Sequence, residues 1–157
     1  MALKSNFNEA QSMKNVEKQA DSLHTKILNS FIYDGEEFIV NARGQGQSHE
    51  MGQYKDVTTN LRNSIAYYVF YNGKLVHRNE KGNAVVNMQE ISGLIKPKGY
   101  QIIAIAGMNY ASYVESKGYN VISYQADILI VDLAVHLEKL EVIEKGIVAR
   151  IENTFLP

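Results

Sequence analysis

The stretch D-V-T-T-N-L-R-N-S-I-A-Y-Y-V-F-Y-N-G, from Asp56 to Gly73, changes character at its midpoint. Its first half is polar, and residues 58–64 carry more side-chain hydrogen-bonding groups than a strand interior accommodates. Its second half, Ile65 to Tyr71, is mostly β-branched and aromatic, which suits a pleated, half-buried surface. It ends in Asn-Gly, the strongest short-range hairpin signal. The stretch therefore predicts a polar turn followed by the first strand of an antiparallel hairpin.

A two-residue turn at Asn72 and Gly73 would set the register of this hairpin. The predicted cross-strand pairs are Tyr71–Lys74, Phe70–Leu75, Val69–Val76 and Tyr68–His77. Apolar pairs would then alternate with polar–aromatic pairs, as a sheet with one covered face requires.

Upstream of this stretch, apolar residues recur at spacings of three and four, which predicts one stripe on a helix. The stripe consists of Phe7, Ala10, Met13, Val16, Ala20, Leu23, Ile27 and Phe31. We interpret it as a face packed on the sheet, with a seam for a partner helix as the alternative. Asp34-Gly35 is the expected stop signal. Residues 37–42 then indicate helix continuation after a kink, or alternatively a first strand.

Residues 43–53 contain three glycines and three glutamines. Because such a segment offers no anchor to a core, it predicts a mobile loop, and we place a flexible loop at about residues 43–60. Loops of this length in compact domains are commonly functional or disordered. A plain flexible connection is the competing interpretation.

Downstream, residues 101–107 form an apolar run that predicts a buried strand, and residues 109–118 predict a short helical or bent segment ending at Gly118. A second helical stripe predicts a long C-terminal helix. It consists of Ala126, Leu129, Leu133, Leu137, Leu140, Ile147, Ile151 and Phe155. The predicted fold is a single α+β domain spanning residues 1–157. It has a long N-terminal helix, an antiparallel sheet with an Asn-Gly hairpin, and a long C-terminal helix packed on the sheet.

Composition argues against several function classes. The formal net charge is −1, so overall charge implies no attraction to nucleic acid or anionic membranes. There is no cysteine, and the four histidines are too widely separated to suggest a metal site. No run approaches the length of a membrane span, and no phosphate-binding loop or nucleophile elbow is present. We therefore expect no catalytic residue, cofactor or metal, and favour a structural or interaction protein.

Two motifs together resemble a known family. Residues 58–65, T-T-N-L-R-N-S-I, resemble the signature T-G-x-L-R-x-S-I of the tail-completion (head–tail joining) proteins of long-tailed bacteriophages and prophages. Residues 110–115, Y-A-S-Y-V-E, resemble the same family's Y-A-x-Y-V-E-x-G, with Gly118 following after one extra residue. The order of predicted elements agrees with that family. Thr59 departs from the signature, because it stands where the signature has glycine.

The resemblance implies a non-enzymatic virion component of the neck or tail, made in the host cytoplasm, that joins the head connector to the tail as a homo-oligomeric ring. Its implied partners are the connector and the tail-tube or tail-terminator proteins, and the isolated protein could be a monomer. The alternatives are a tail terminator or other connector ring subunit, and, from another class, a small-ligand-binding or hydrolytic domain using tyrosine, His49 and Glu50. The residues assigned to the assembly loop and signature are Arg43, Gly44, Gly46, His49, Thr58, Thr59, Asn60, Leu61, Arg62, Ser64, Tyr110, Tyr113 and Glu115.

Overall fold

The computed structural model describes residues 9–44, 59–80, 88–107, 111–140 and 154–155. The helices are α1 (Glu9–Gly44), α2 (Asn60–Asn63), α3 (Met88–Ile91), α4 (Ala111–Ser116) and α5 (Ser123–Lys139), with a 3-10 turn at Ser92–Leu94. The strands are β1 (Ile65–Tyr71), β2 (Lys74–Asn79), β3 (Tyr100–Ala106) and β4 (Thr154–Phe155). The prediction of a mixed helix-and-strand fold is confirmed: a long N-terminal helix, a three-stranded antiparallel sheet and a helix towards the C-terminus.

Strand β1 lies at the centre of the sheet, whose strand order is β2-β1-β3-β4. It pairs antiparallel with both β2 and β3, and β4 adds to β3 in parallel. Side chains of β1 alternate between the two faces. Ile65, Tyr67 and Val69 pack with α1 and α5, whereas Ala66, Tyr68 and Phe70 pack with Ile91 and the segment that follows it. Both faces of β1 are therefore covered, which explains why its sequence is apolar almost without interruption.

The turn between β1 and β2 consists of Asn72 and Gly73, with φ of 48° and 76°. Positive φ at both positions is the geometry of a type I′ turn, which Asn-Gly favours. The Asn72 amide donates to the Gly99 carbonyl, and the Gly99 amide donates to Asn72 Oδ1, both at 2.9 Å. These two bonds attach the turn to the residue that precedes β3.

The register of β1 with β2 departs from the prediction after its second pair. Tyr71 pairs with Lys74 and Phe70 with Leu75, but an irregularity follows, so that Val69 pairs with His77 and Tyr68 with Arg78. The predicted Val69–Val76 and Tyr68–His77 pairs are therefore wrong. Val76 is the extra residue of a β-bulge, which shifts every later residue of β2 by one. A shift of one residue moves a side chain to the opposite face of the sheet.

Helix α1 does not stop at Asp34 and Gly35, so that predicted boundary is wrong, and residues 37–42 continue the helix as expected. Gly35 serves the packing of α1 on the sheet. A Cβ at this position would lie 2.4 Å from Cε2 of Tyr67, so only glycine allows the helix backbone to approach β1 this closely. The tertiary contact overrides the local tendency of glycine to end a helix.

The apolar stripe of α1 is buried along only part of its length. Ile27 and Phe31 belong to the core, but Met13 and Val16 are 64% and 65% exposed. The interpretation of the whole stripe as a core face is therefore wrong from Ala10 to Leu23, and Phe7 lies outside the described residues. The sheet and α5 lie against the later turns of α1, where Nδ1 of His24 lies 2.5 Å from the Tyr100 hydroxyl.

The C-terminal helix is shorter than predicted. It ends at Lys139, and Phe155 lies in β4 beside Ala106 of β3, so its assignment to the helix is wrong. The edge of β3 offers unpaired backbone groups, with which β4 pairs. Residues 141–153 lie outside the described segments. Within those segments, no helix combines the length and apolar character needed to cross a membrane.

Candidate functional site

One end of the sheet brings together Arg43, residues 59–64 and Gly107, and α4 begins four residues after Gly107. We call this region the α2–α4 end. Because β1 and β3 are antiparallel and Ile65 pairs with Ala106, the segment before β1 and the segment after β3 leave the sheet together. The Gly107 amide donates to the Ser64 carbonyl at 2.9 Å. Arg43, near the end of α1, donates from Nη2 to the Ile65 carbonyl at 2.9 Å.

The polar stretch before β1 is a single hydrogen-bonded helical turn. The Asn63 amide donates to the Thr59 carbonyl at 2.9 Å, and the Ser64 hydroxyl donates to the Leu61 carbonyl at 2.7 Å. Leu61 is buried in the core with Ile65. Since the buried Ser64 hydroxyl is bonded to the backbone, its role is to close this turn rather than to react.

The outer surface of the α2–α4 end carries polar residues and the aromatic side chain of Tyr113. Thr59 and Asn60 are exposed, and Tyr113 is 62% exposed on α4. The Lys117 ammonium lies 5.2 Å from the centre of the Tyr113 ring, within the range of a cation–π contact. This surface therefore offers an aromatic ring, a cation and several hydrogen-bonding groups to solvent.

Glu115 binds two backbone amides at the start of α5. Its Oε2 accepts from the Val121 amide at 2.7 Å, and its Oε1 accepts from the Ser123 amide at 3.1 Å. Ser123 is the first residue of α5, so the carboxylate satisfies a backbone donor that the helix itself leaves unpaired and lies near the positive end of the helix dipole. Glu115 thereby fixes α4 to the start of α5.

The remaining residues assigned to the site fall into two groups. Arg43 and Gly44 belong to the last turn of α1 and not to a loop, because the helix continues to Gly44. Gly46, His49, Thr58 and Tyr110 lie outside the described residues. The structure thus joins Ser64 to Gly107, four residues before α4, and buries Leu61 and Ala111 in the same core cluster.

A second polar cluster, absent from the sequence analysis, lies where α1 crosses β1 and β2. Glu36 Oε1 accepts from the Tyr67 hydroxyl at 2.7 Å and lies 3.4 Å from His77 Nε2, and Glu36 Oε2 accepts from Asn79 Nδ2 at 2.8 Å. Three separate elements contribute these side chains. The bulge at Val76 is what turns His77 to the face that carries Tyr67.

The pKa shifts in this cluster favour a structural role over proton transfer. Burial raises the pKa of Glu36, but hydrogen bonds from Tyr67, Asn79 and His77 outweigh it and hold the pKa below its ordinary value. Burial and the neighbouring Glu36 carboxylate raise the pKa of Tyr67. At neutral pH the carboxylate is therefore a weak base and the phenol a weak acid. The cluster ties α1 to the two strands beneath it.

A third polar contact joins α1 to α5. Nδ1 of His136 lies 2.8 and 3.0 Å from the two carboxylate oxygens of Asp34. Asp34 is buried and His136 is half-buried. Burial raises the pKa of Asp34, although the contact with His136 opposes that shift. Buried carboxylates need such a partner, so the pair links the two helices through the core.

Across the described segments, no three His, Asp or Glu side chains come close enough together to hold a metal ion. A scan against protein-family models, a search of curated proteins and a search of solved structures each found no match for this chain.

Proposed function

We propose that this chain is a structural protein of the phage neck or tail that joins the head connector to the tail, and that its α2–α4 end makes the contact. The observation that supports this function is the position of the two motifs that carry the resemblance. Residues 59–64 and 111–115 are far apart in the chain, yet the Gly107 amide bonds the Ser64 carbonyl four residues before α4, and Leu61 and Ala111 belong to the same core cluster.

The α2–α4 end has the physical character of a binding surface on a rigid base. Leu61 and Ala111 are anchored in the core, and Glu115 is fixed by two backbone bonds, so the surface needs little ordering when it binds. Tyr113 supplies the exposed aromatic side chain that interfaces use most. The partners in this proposal are the connector and the tail-tube or tail-terminator protein, and the chain acts as a subunit of a homo-oligomeric ring.

Substituting Tyr113→Ala tests this function. We expect at least a tenfold fall in joined particles when the variant is added to filled heads and tails from a lysate lacking this protein. Because Tyr113 is mostly exposed, the unfolding midpoint should stay unchanged. Joining would be counted by electron microscopy and by infectivity. The matched control is Tyr33→Ala, which removes an equally exposed tyrosine (60%) from the middle of α1 and should join normally.

Equal joining by the two tyrosine variants would refute a role for the α2–α4 end. The same lysates separate tail completion from the alternative of a tail terminator. Filled heads beside complete, unjoined tails support completion. Tails of irregular length would assign the chain to termination instead.

A further inference from the structure

Three exposed lysines surround the turn between β1 and β2. Lys74 directly follows Gly73 in the turn, and a Cβ at Gly73 would lie 3.5 Å from the carbonyl oxygen of Lys96. Lys98 directly precedes Gly99, which is hydrogen-bonded to the same turn. The two lysine-bearing segments therefore lie against each other. We call this region the hairpin end, and it consists of residues 72–76 and 96–99.

Buried Gln101 fixes the second of these segments to the sheet. Its Nε2 donates to the Leu94 carbonyl at 2.7 Å, and its Oε1 accepts from the Lys96 amide at 2.9 Å. Gln101 belongs to β3 and is only 2% exposed. The lysines thus stand on a backbone that is already ordered, so a ligand meets little entropic cost from loop ordering.

The carboxylates that contact β2 have other partners. Glu80 pairs with Arg78 at 3.2 Å, and Glu36 accepts hydrogen bonds from Tyr67 and Asn79. Within the described segments, no carboxylate forms an ion pair with any of the three lysines. The hairpin end is therefore a local concentration of positive charge in a chain whose formal net charge is −1.

Two exposed apolar side chains adjoin the lysines. Leu75 is 39% exposed and Val76 is 44% exposed. Leu75 pairs with Phe70, and the face of the sheet that carries Phe70 is packed against Leu94 and Ile95. Leu75 therefore lies on the same face as the segment that leads to the second and third lysines.

Strand β2 also has an edge that no strand of the described segments covers, because it is the outermost strand in the order β2-β1-β3-β4. Tyr71 and Lys74 flank a two-residue turn, so they form a hydrogen-bonded pair. In an antiparallel ladder, the N–H and C=O of the next residue, Leu75, then point away from β1. An extended chain beside β2 can use these backbone groups.

This combination of groups favours an acidic protein segment over the other possible occupants. A nucleic-acid backbone also binds lysines, but its phosphates and sugars offer no apolar group to Leu75 and Val76. The hairpin end of a second copy would bring the same lysines, and like charges repel. Lysine and a bulge on an edge strand hinder such pairing between copies, whereas the same lysines attract carboxylates.

We propose that the hairpin end binds an acidic, extended segment of a partner protein. The carboxylates of the segment contact the three lysines, and its apolar side chains contact Leu75 and Val76. The hairpin end lies at the opposite end of β1 from residues 59–64, so the proposal does not depend on the virion role proposed above.

Fluorescence anisotropy of the full-length protein with short labelled peptides tests this proposal. A peptide of alternating glutamate and valine should bind, and a peptide with lysine in place of glutamate should not. Lys74→Glu and Lys98→Glu should each raise the dissociation constant of the acidic peptide at least tenfold, and added salt should weaken binding because the contacts are ionic. Circular dichroism should show that both variants remain folded, since both lysines are exposed.

The matched control is Lys14→Glu, which makes the same change at an exposed position of α1. It lies about 15 Å along the helix from His24, the residue of α1 that contacts Tyr100 next to the hairpin end. This variant should bind the acidic peptide normally. Equal binding by Lys14→Glu and Lys98→Glu, or no binding of the acidic peptide, would overturn the proposal.

Two further probes identify what the hairpin end recognises. A peptide of alternating glutamate and serine should bind at least fivefold more weakly than the valine peptide, because it has no apolar side chain for Leu75 and Val76. Amide hydrogen exchange at Leu75 should slow when the valine peptide is bound. Equal binding of the two acidic peptides, or tighter binding of a labelled DNA duplex, would contradict an acidic protein segment as the ligand. None of these results bears on the joining experiment with Tyr113.

Discussion

Thr59 is a β-branched residue in the left-handed region, with φ of 59° and ψ of 4°. Residues other than glycine or asparagine rarely adopt this conformation, and a β-branched residue there is an outlier that costs about 1–3 kcal/mol. In the signature that residues 58–65 resemble, this position is glycine, which adopts positive φ without a steric penalty. Thr59 therefore stores backbone strain at the exposed edge of the α2–α4 end.

We expect Thr59→Gly to raise the free energy of unfolding by about 1 kcal/mol, because the relief of strain exceeds the entropy that glycine adds to the unfolded chain. Urea denaturation measures the change. Thr59→Ala is the matched control, since it keeps the Cβ that conflicts with positive φ and should gain less. Equal stability of the glycine and alanine variants would show that the strain lies elsewhere.

Glu36 makes the stability of the fold depend on pH. Its folded pKa lies below the ordinary value of 4.5, so the stabilisation from its charged form is complete above that value and is lost as pH falls through the folded pKa. Glu36→Gln should lower the free energy of unfolding by about 1 kcal/mol at neutral pH, a low figure for bonds to a charged group because 44% of the side chain is exposed. In acid the variant and the original protein should converge.

Urea unfolding at neutral pH and at a series of acidic values would measure this difference. Glu37→Gln, at the exposed neighbouring position, controls for removing a carboxylate from α1. A difference between Glu36→Gln and the original protein that stays constant or grows in acid would contradict the assignment.

At the scale of elements, Gly35 decides how closely α1 can approach β1. Alanine is favoured over glycine inside a helix by about 1 kcal/mol, but its Cβ would enter the ring of Tyr67. That ring is held in place because its hydroxyl bonds both Glu36 and the Ile32 carbonyl. We expect Gly35→Ala to lower the unfolding free energy by about 1–2 kcal/mol, since overpacking outweighs helix propensity.

Thermal and chemical denaturation would measure this loss. Gly44→Ala is the matched control in the same helix, because a Cβ at Gly44 would meet nothing within 4 Å. It should be neutral or stabilising. A stabilising Gly35→Ala would mean that the helix can move away from the sheet at little cost.

A predicted helix end and a β-bulge show where local sequence rules stop being sufficient. Asp34 and Gly35 form a good stop signal by composition, yet α1 continues through them because both residues serve tertiary packing. Asp34 contacts His136, and Gly35 lies against Tyr67. The bulge at Val76 left no signal in the alternating pattern of β2, and it changed which residues share a face. The end of α1 and the register of β2 therefore depend on contacts between elements, which the local sequence pattern does not show.

At the scale of the whole molecule, the order and type of the main elements were predictable, because long periodic runs and the Asn-Gly turn are strong local signals. The site was predictable only in part. Residues 59–64 were singled out by their polarity next to a strand, but the Glu36 cluster draws side chains from three elements and leaves no pattern along the chain. The exposed part of the α1 stripe has the same three- and four-residue spacing as the buried part, since periodicity does not reveal which face is covered.

The pairing of Asp34 with His136 has a consequence for synthesis on the ribosome. The two residues are 102 positions apart, and the core around Phe31 and Phe38 also includes Leu133 and Leu137. A nascent chain can form α1 and the β1–β2 hairpin early, but the part of the α1 core face that packs on α5 stays uncovered until α5 has left the exit tunnel. At the usual rate of about 5–20 residues per second, that interval lasts several seconds. The core between α1 and α5 therefore closes only after α5 is made, which leaves chaperones that bind apolar helices time to act.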